Sequence, residues 1–462
     1  MLVVTAGPVT VGIDIGTTSV KAVAVDAGGE VRARIRIPHP VHAPTPAVFE
    51  HDAAAVWHAN VVVACDSVSV GHRVAGIGLA AMVLSLAAVD AGGMPISPGI
   101  LYGDHRGHHP DGEIIGFLRH LEQAFPGAHG YWPAQAVAGA ALCGTGAVDG
   151  AALCGTGAVA VDDTALCRTG AVDGATAMSC LPLLGADGWD ADWCDPALLP
   201  DLVMDSNPIG HRNGSPVAAG TVDALAEQLV AGADSPGDVL VICGTTLITW
   251  AVCEGWPEAE GMWTIPHPVV PGLAGIGGPS NAGGLFLERV RALTGDPEIG
   301  RLDPNRLPLW VPYIRGERTP RHDPGLRAAL IGLDVGHGPR EVLAAAYEAS
   351  GFVVRHHLDL AGVSPDRIVA VGGGTCVGHW MQALADTSNL PVDVAAVPEG
   401  AARGAAYLAR ITAGLEDRDP AGARRWAHID HRVEPRPAWA EACARRYPKW
   451  RAACDASAEA AG

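Results

Sequence analysis

The chain is almost without lysine. Of its 31 basic residues only Lys21 and Lys449 are lysine, and the rest are arginine. Positive charge is scarce as well: 50 acidic side chains give a net charge of −19, which argues against a broad nucleic-acid or anionic-membrane surface. No basic stretch precedes an apolar one near the start, so no signal peptide is expected. The longest apolar stretch, around Ile77–Val89, is too short for a membrane span. The eleven cysteines form no CxxC pair. Their odd number and scatter point to reduced thiols in a cytoplasm, not to a disulfide framework or a zinc site.

What remains is length, apolar content and glycine. At 462 residues the chain can hold two large domains or three smaller ones, and 48% hydrophobic residues can build their cores. The opening reads VTVGIDIG, VKAVAVD, a Gly28–Gly29 turn and VRARIRI, three alternating strands joined as hairpins. Between the first two lies Gly16-Thr17-Thr18, with Asp14 just before it and Lys21 just after. Gly16 lets the backbone bend, and two hydroxyls with a row of backbone N–H groups make a nest for phosphate oxygens. A carboxylate beside such a nest suits magnesium, directly or through water. A plain strand turn is the competing reading, and for Lys21 a solvated hairpin position. No helix follows the first strand at once, unlike a dinucleotide-binding or P-loop start.

Residues 52–70 read as helix, and the stretch from Val74 to Asp90 as two further strands. Asp104 and Arg106 follow on a loop, either as ligands for a substrate hydroxyl or as a surface ion pair. Near-copies at 141–151, 152–162 and 165–175 carry Cys143, Cys154 and Cys167. Their offsets are too short and irregular for a solenoid, and a tandem duplication explains them better than a metal site or a phosphate loop. In SPVAAGTVDALAEQLVAG a strand leads to Asp223 at the start of a helix, as a cap or as a base. DVLVICGTTLITWAV then repeats the opening pattern around Gly244-Thr245-Thr246, which suggests a duplicated fold with two phosphate turns. A long amphipathic helix over 340–361 precedes RIVAVGGGTCVGHW, a buried strand into a triple glycine and a helix N-terminus suited to a nucleotide. EGAARGAAYLAR reads as a small-residue helix. The Arg-rich tail, 417–456, is expected to be partly helical and peripheral, its cations on a solvated face.

In this order the segments resemble those of the FGGY carbohydrate kinases, most closely the xylulokinase-like branch, over roughly 9–110 and 175–412. VGIDIGTTSVK and CGTT look like the family's two phosphate motifs, GTVDALA like its catalytic-aspartate segment, PYIRGERTPRHDP like its C-domain signature and VGGGTCVGHWMQALAD like its adenosine motif. The resemblance implies an α/β protein of two ribonuclease-H-like domains of the actin/hexokinase superfamily around a central cleft. Residues 1–235 would form the sugar-binding domain and 236–462 the nucleotide-binding domain. It implies an ATP- and Mg2+-dependent transferase acting on a ketopentose or related sugar or polyol, with a catalytically weak sugar or nucleotide sensor as the alternative. Asp223 would be the general base and Asp14 would support magnesium. The nucleotide would be held by Gly16, Thr17, Thr18 and Lys21, by Gly244, Thr245 and Thr246, and by Gly373, Gly374 and Gly378. Met82, Asp104, Arg106 and Asp223 would meet the sugar. Ala80-Ala81-Met82-Val83 stands where such enzymes often carry Gly-Gln-Met-His, and Tyr102-Gly103-Asp104 replaces Trp-x-Asp, so the sugar is left open. No nucleic-acid or membrane partner is expected, and a homodimer stays open.

Overall fold

The computed structural model describes residues 7–45, 47–144, 170–267, 269–396 and 399–459. Most of the near-copies, including Cys154 and Cys167, lie outside the described residues. Cys65, Cys180, Cys194, Cys243, Cys253, Cys376, Cys443 and Cys454 are free thiols, and no helix among the described residues is long and apolar enough to cross a membrane.

Two compact units are present: 1–230 with 398–426, and 231–397 with 427–462. A single cut at 235/236 therefore lies close to one crossing of the chain and misses two others. In the first unit, strands Val9–Ile15, Ser19–Val25 and Val31–Pro38 form the expected antiparallel meander. Val74–Ala81 lies parallel to the first strand on its other side, followed by Ser215–Val217 and, at its far end, Thr221–Val222. Helix Gly400–Thr412 covers one face. It lies so close that a Cβ at Gly12 would overlap the Ala402 carbonyl, and one at Gly78 the Ala405 carbonyl. These contacts carry 399–426 back to the first unit, and the glycines are what permit so close an approach. On the other face, helix Asn60–Ser69 buries Val61, Ala64, Cys65 and Val68.

The second unit repeats the plan. Its sheet runs Trp263–Pro266, Leu273–Ser280, Leu247–Glu254, Asp238–Cys243, Arg367–Val371, Val392–Ala395, Ile429–Val433. The Asp238–Cys243 strand pairs antiparallel with Leu247–Glu254 and parallel with Arg367–Val371, as Val9–Ile15 does with its two neighbours. In each unit antiparallel strands, three in the first and four in the second, are extended by parallel ones, a ribonuclease-H-like arrangement. The 340–361 helix is observed as Pro339–Ala361.

The tail is not peripheral. Helix Pro437–Glu459 buries Tyr447, Trp450 and Cys454, and the rings of Tyr447 and Trp450 each lie 5.6 Å from that of Phe352. Most of its arginines are exposed, as on a solvated face, but some of them reach buried carboxylates. Arg446 pairs with the buried Glu348, and Arg436 donates to Asp386, which is 1% exposed. A buried carboxylate left without a cation would be costly, so these arginines hold the tail to the core.

Candidate active site

The strand registers bring the first group of residues together. Asp14 lies opposite Lys21 on one side and Ala80 on the other, and Ala80 lies opposite Thr221. The Met82 N–H donates to the Ile15 carbonyl, 3.2 Å away. Two residues beyond Thr221, Asp223 opens the helix Asp223–Ala231. Asp14, Lys21, Met82 and Asp223 thus collect at one end of one sheet, although they come from four segments.

Charge couples three of them. Lys21 Nζ lies 2.9 Å from Asp14 Oδ2, and the carboxylate raises the ammonium pKa. Asp14 is 4% exposed, and its Oδ1 has no hydrogen-bond partner. Asp223 Oδ1 accepts the N–H of Ala224 at 2.7 Å. Burial, and then the charge of Asp14, push the Asp223 carboxyl up to about 6, against the pull of the Ala224 N–H and Lys21. A carboxylate tuned to that range is ionised at neutral pH yet basic enough to take a proton.

Glu227 belongs to the same cluster and escapes the sequence reading. It lies one turn after Asp223 on the same helix face. Burial, then Asp14 and Asp223, push its carboxyl up to about 8, with Lys21 opposing. It packs where the covering helix begins: a Cβ at Gly400 would come within 2.7 Å of Glu227 Cγ and Oε1. The i, i+4 spacing in DALAE was visible, but not that both positions face Asp14.

The Gly16–Thr18 turn is closed by the Gly16 N–H on the Ser19 carbonyl at 3.1 Å. Thr17 Oγ1 lies 2.9 Å from the Tyr102 hydroxyl, and Thr18 is exposed. Gln135, buried and also not anticipated, extends Nε2 to the carbonyls of Ala81 at 3.1 Å and Thr221 at 3.4 Å. It ties the strand before Met82 to the strand before Asp223. Backbone partners 54 and 86 residues away leave no mark in a sequence.

Asp104 and Arg106 make an ion pair, but a buried one. Asp104 is 1% exposed; one oxygen accepts the Arg106 N–H and Nε, the other the Phe49 N–H and Arg106 Nη2. Arg106 also reaches Glu50. Burial would raise the Asp104 pKa, and the Arg106 and Phe49 donors outweigh it and hold it low. With both oxygens engaged, the pair braces the loop beside Tyr102.

In the second unit, Gly244–Thr246 is closed by the Gly244 N–H on the Thr246 carbonyl at 3.2 Å. The Gly284 and Leu285 N–H groups, at the start of helix Gly284–Thr294, donate to the Gly244 and Thr245 carbonyls. The triple glycine runs against the residue before this turn: a Cβ at Gly372 or Gly374 would lie within 3 Å of the Cys243 carbonyl oxygen. At Gly373 and Gly378 a Cβ would meet nothing within 4 Å. So Gly244–Thr246, Gly373 and Gly374 adjoin, with Gly378 opening helix Gly378–Ser388 behind open space. Glu317 fixes the PYIRGERTP segment by accepting from Ser280 Oγ at 2.7 Å and the Asn281 N–H at 3.1 Å.

Among the described residues no three His, Cys, Asp or Glu side chains are arranged to hold a metal by themselves. Magnesium needs no such cage, since it commonly keeps several waters and takes one or two carboxylates with phosphate oxygens. The unpartnered Oδ1 of Asp14 is a hard oxygen acceptor that fits that role.

Comparison with known proteins bears on the family and the fold. The family model for the FGGY family of carbohydrate kinases, N-terminal domain, matches residues 9–114, and that for the C-terminal domain matches 295–413. A xylulose kinase of Streptomyces rubiginosus is 28% identical over 461 residues, 91% of either chain. The similarity to the xylulose kinase of Escherichia coli (strain K12), 30% over 216 residues, takes in 44% of either chain. The solved xylulose kinase of Rhodospirillum rubrum superposes with a TM-score of 0.80 at 24% identity, covering 98% of this chain and 99% of that one. At that identity the likeness speaks for the fold.

Proposed function

We infer that this chain, which belongs to the FGGY family of carbohydrate kinases, transfers the γ-phosphoryl group of ATP to a hydroxyl of a ketopentose or related sugar or polyol, with Asp223 as general base. The observation that carries the reading is the placement of Asp223 beside Asp14 and Lys21. Three segments converge to put one carboxyl near neutral pKa at a helix start. As a base, Asp223 takes the proton of the attacking hydroxyl while that oxygen bonds to the γ-phosphorus and the bond from phosphorus to the bridging oxygen of ADP breaks; ADP leaves with that electron pair, and the hydroxyl proton ends on the carboxylate. Lys21 adds to the larger pull of the Ala224 N–H in lowering the Asp223 pKa, and it balances one oxygen of Asp14.

Asp14, through Oδ1, would hold a magnesium ion by way of water; that ion, when bound, neutralises charge on the phosphate chain. The Gly16–Thr18 turn offers N–H and hydroxyl groups to phosphate oxygens, and Gly244–Thr246 does the same in the second unit. Gly373 and Gly378 leave room for the nucleotide beside the second turn, and Gly374 lets the chain pack close against that turn. Positioning and charge neutralisation of this kind account for most of the catalysis that phosphoryl transfer requires.

The xylulose kinases among the similar proteins support a ketopentose as the first acceptor to try. The test is sugar-dependent ADP release with Mg-ATP across ketopentoses, ketohexoses, tetritols and glycerol, with Asp223→Asn as control. One acceptor with a clear rate that the variant loses is the expected result. A folded, ATP-binding protein silent across the panel would overturn the reading.

A further inference from the structure

Behind the first Gly-Thr-Thr turn lie two buried histidines that the proposed chemistry does not use. His51 ends the short strand Glu50–His51 and is 1% exposed. Its Nδ1 lies 3.0 Å from the indole Nε1 of Trp57, and its Nε2 lies 2.9 Å from the carbonyl oxygen of Thr17. An indole N–H only donates and a carbonyl oxygen only accepts. One form of the ring satisfies both partners: the neutral tautomer with its proton on Nε2. The imidazolium would set an Nδ1–H against the indole N–H, donor facing donor. Burial holds the His51 pKa down at about 4, although the Thr17 carbonyl favours the charged ring. The titratable group facing it is His39, with ring centroids 4.6 Å apart, which resists a second charge. Its chain neighbours are engaged elsewhere, Glu50 with Arg106 and Asp52 with the Ala55 N–H.

The consequence falls on one peptide. In a trans peptide the carbonyl of Thr17 and the N–H of Thr18 point in opposite directions. Drawing Thr17 O onto His51 therefore aims the Thr18 N–H away from the core, toward the side where Thr18 is exposed. The His39 N–H on the Thr18 carbonyl at 3.0 Å and the Tyr102 hydroxyl at Thr17 Oγ1 hold the rest of the turn.

We propose that Trp57, His51 and Thr17 form a positioning chain in which a tautomer-locked, neutral imidazole fixes the Thr17–Thr18 peptide, so that the turn presents its N–H to a phosphate oxygen. The phosphate half of this statement rests on the kinase reading, and the anchoring does not.

Two arms separate them. In full-length 15N-labelled protein, the ring nitrogens of His51 are identified by difference from H51Q and followed between pH 5 and 8. The wild-type ring keeps its proton on Nε2 throughout, whereas in W57F, freed of the opposing donor, its pKa moves upward. In sugar-dependent ADP release, H51A lowers kcat/KM for ATP roughly ten- to hundredfold, the scale of a misplaced binding group. H51Q, whose amide can donate to Thr17 and accept from Trp57, recovers to within about threefold, as expected where one hydrogen bond is retained in poorer geometry. Should H51A fail to fold, W57F and W57F/H51Q carry the second arm: the single variant loses additional kcat/KM below pH 6, and the double variant, with no ring to titrate, does not. A wild-type His51 that titrates between pH 5 and 8 overturns the proposal, as do equal rates for H51A and H51Q or equal acid losses for W57F and W57F/H51Q. Absence of ADP release in the wild type, with Nε2 still protonated, would instead remove the kinase reading and leave the anchor standing.

Discussion

Asp14 and Lys21 face each other directly across the first hairpin, with Nζ 2.9 Å from Oδ2, and the second oxygen of Asp14 has no partner. One lysine thus balances one oxygen of a buried carboxylate and leaves the other without a hydrogen-bond partner. The near absence of lysine elsewhere gives this pair its interest: the compact ammonium sits where two acidic neighbours, Asp223 and Glu227, also act on it.

Removing the unpartnered oxygen should show itself in the metal requirement. Asp14→Ala is expected to raise the magnesium concentration for half-maximal turnover and lower kcat roughly 10²-fold, the scale of a lost preorganised charge contact. A magnesium titration of ADP release measures both, and an unchanged curve would count against the role of Asp14.

Asp223→Asn should abolish turnover, by about 10²–10⁴-fold for a lost base, while leaving ATP binding by calorimetry nearly intact. In the wild type the base must be ionised, so kcat/KM should fall as pH drops through about 6. Lys21 lowers that pKa, so Lys21→Met should move the acid limb upward. A limb that stays in place when Lys21 is removed would disconnect the two residues.

Glu227 gives a stability prediction. Its carboxyl is pushed up to about 8 in the folded chain from an ordinary value of 4.5. Between those values the folded state holds a proton that the unfolded state has released, so this group makes stability fall as pH rises from 4.5 toward 8. Glutamine cannot ionise. Glu227→Gln should therefore gain a few degrees in Tm at pH 8.5 relative to wild type and much less at pH 5, on the scale of a few degrees per kcal/mol. Thermal melts at the two pH values decide it, and an equal effect at both would refute the protonated state.

Gly404 tests how the covering helix is seated. A Cβ there would overlap the Ala226 carbonyl oxygen, in the helix that carries Asp223. Gly404→Ala should cost roughly 1–3 kcal/mol, as overpacking does, and reduce turnover by moving that helix. A urea midpoint within error of wild type would show that the contact yields easily.

Much of this was legible locally. The opening meander, the two strand–Gly-Thr-Thr–strand units and the strand into Gly372–Gly374 follow from alternation and from glycine at tight turns, so sequence alone placed Asp14, Lys21, Gly244 and Gly373 at the ends of strands. That the tail packs on the core was missed because an arginine reads the same in sequence whether its partner is water or a buried carboxylate, as Glu348 is for Arg446 and Asp386 for Arg436. Glu227 and Gln135 escaped because their partners lie on other segments.

The order of elements, the turn chemistry and the carboxylates near the end of the first strand and at the start of the Asp223–Ala231 helix were settled by the amino-acid sequence, since backbone preference and hydrophobic alternation act over a few residues. Only the tertiary structure decided which side chains share a dielectric. Register between Val9–Ile15, Val74–Ala81 and Thr221–Val222 set Asp14 beside Asp223 and Glu227. Packing then gave His51 an indole on one nitrogen and a carbonyl on the other. Electrostatic and hydrogen-bond coupling depends on separations of a few ångströms, and between residues hundreds of positions apart those separations arise only when the sheet closes.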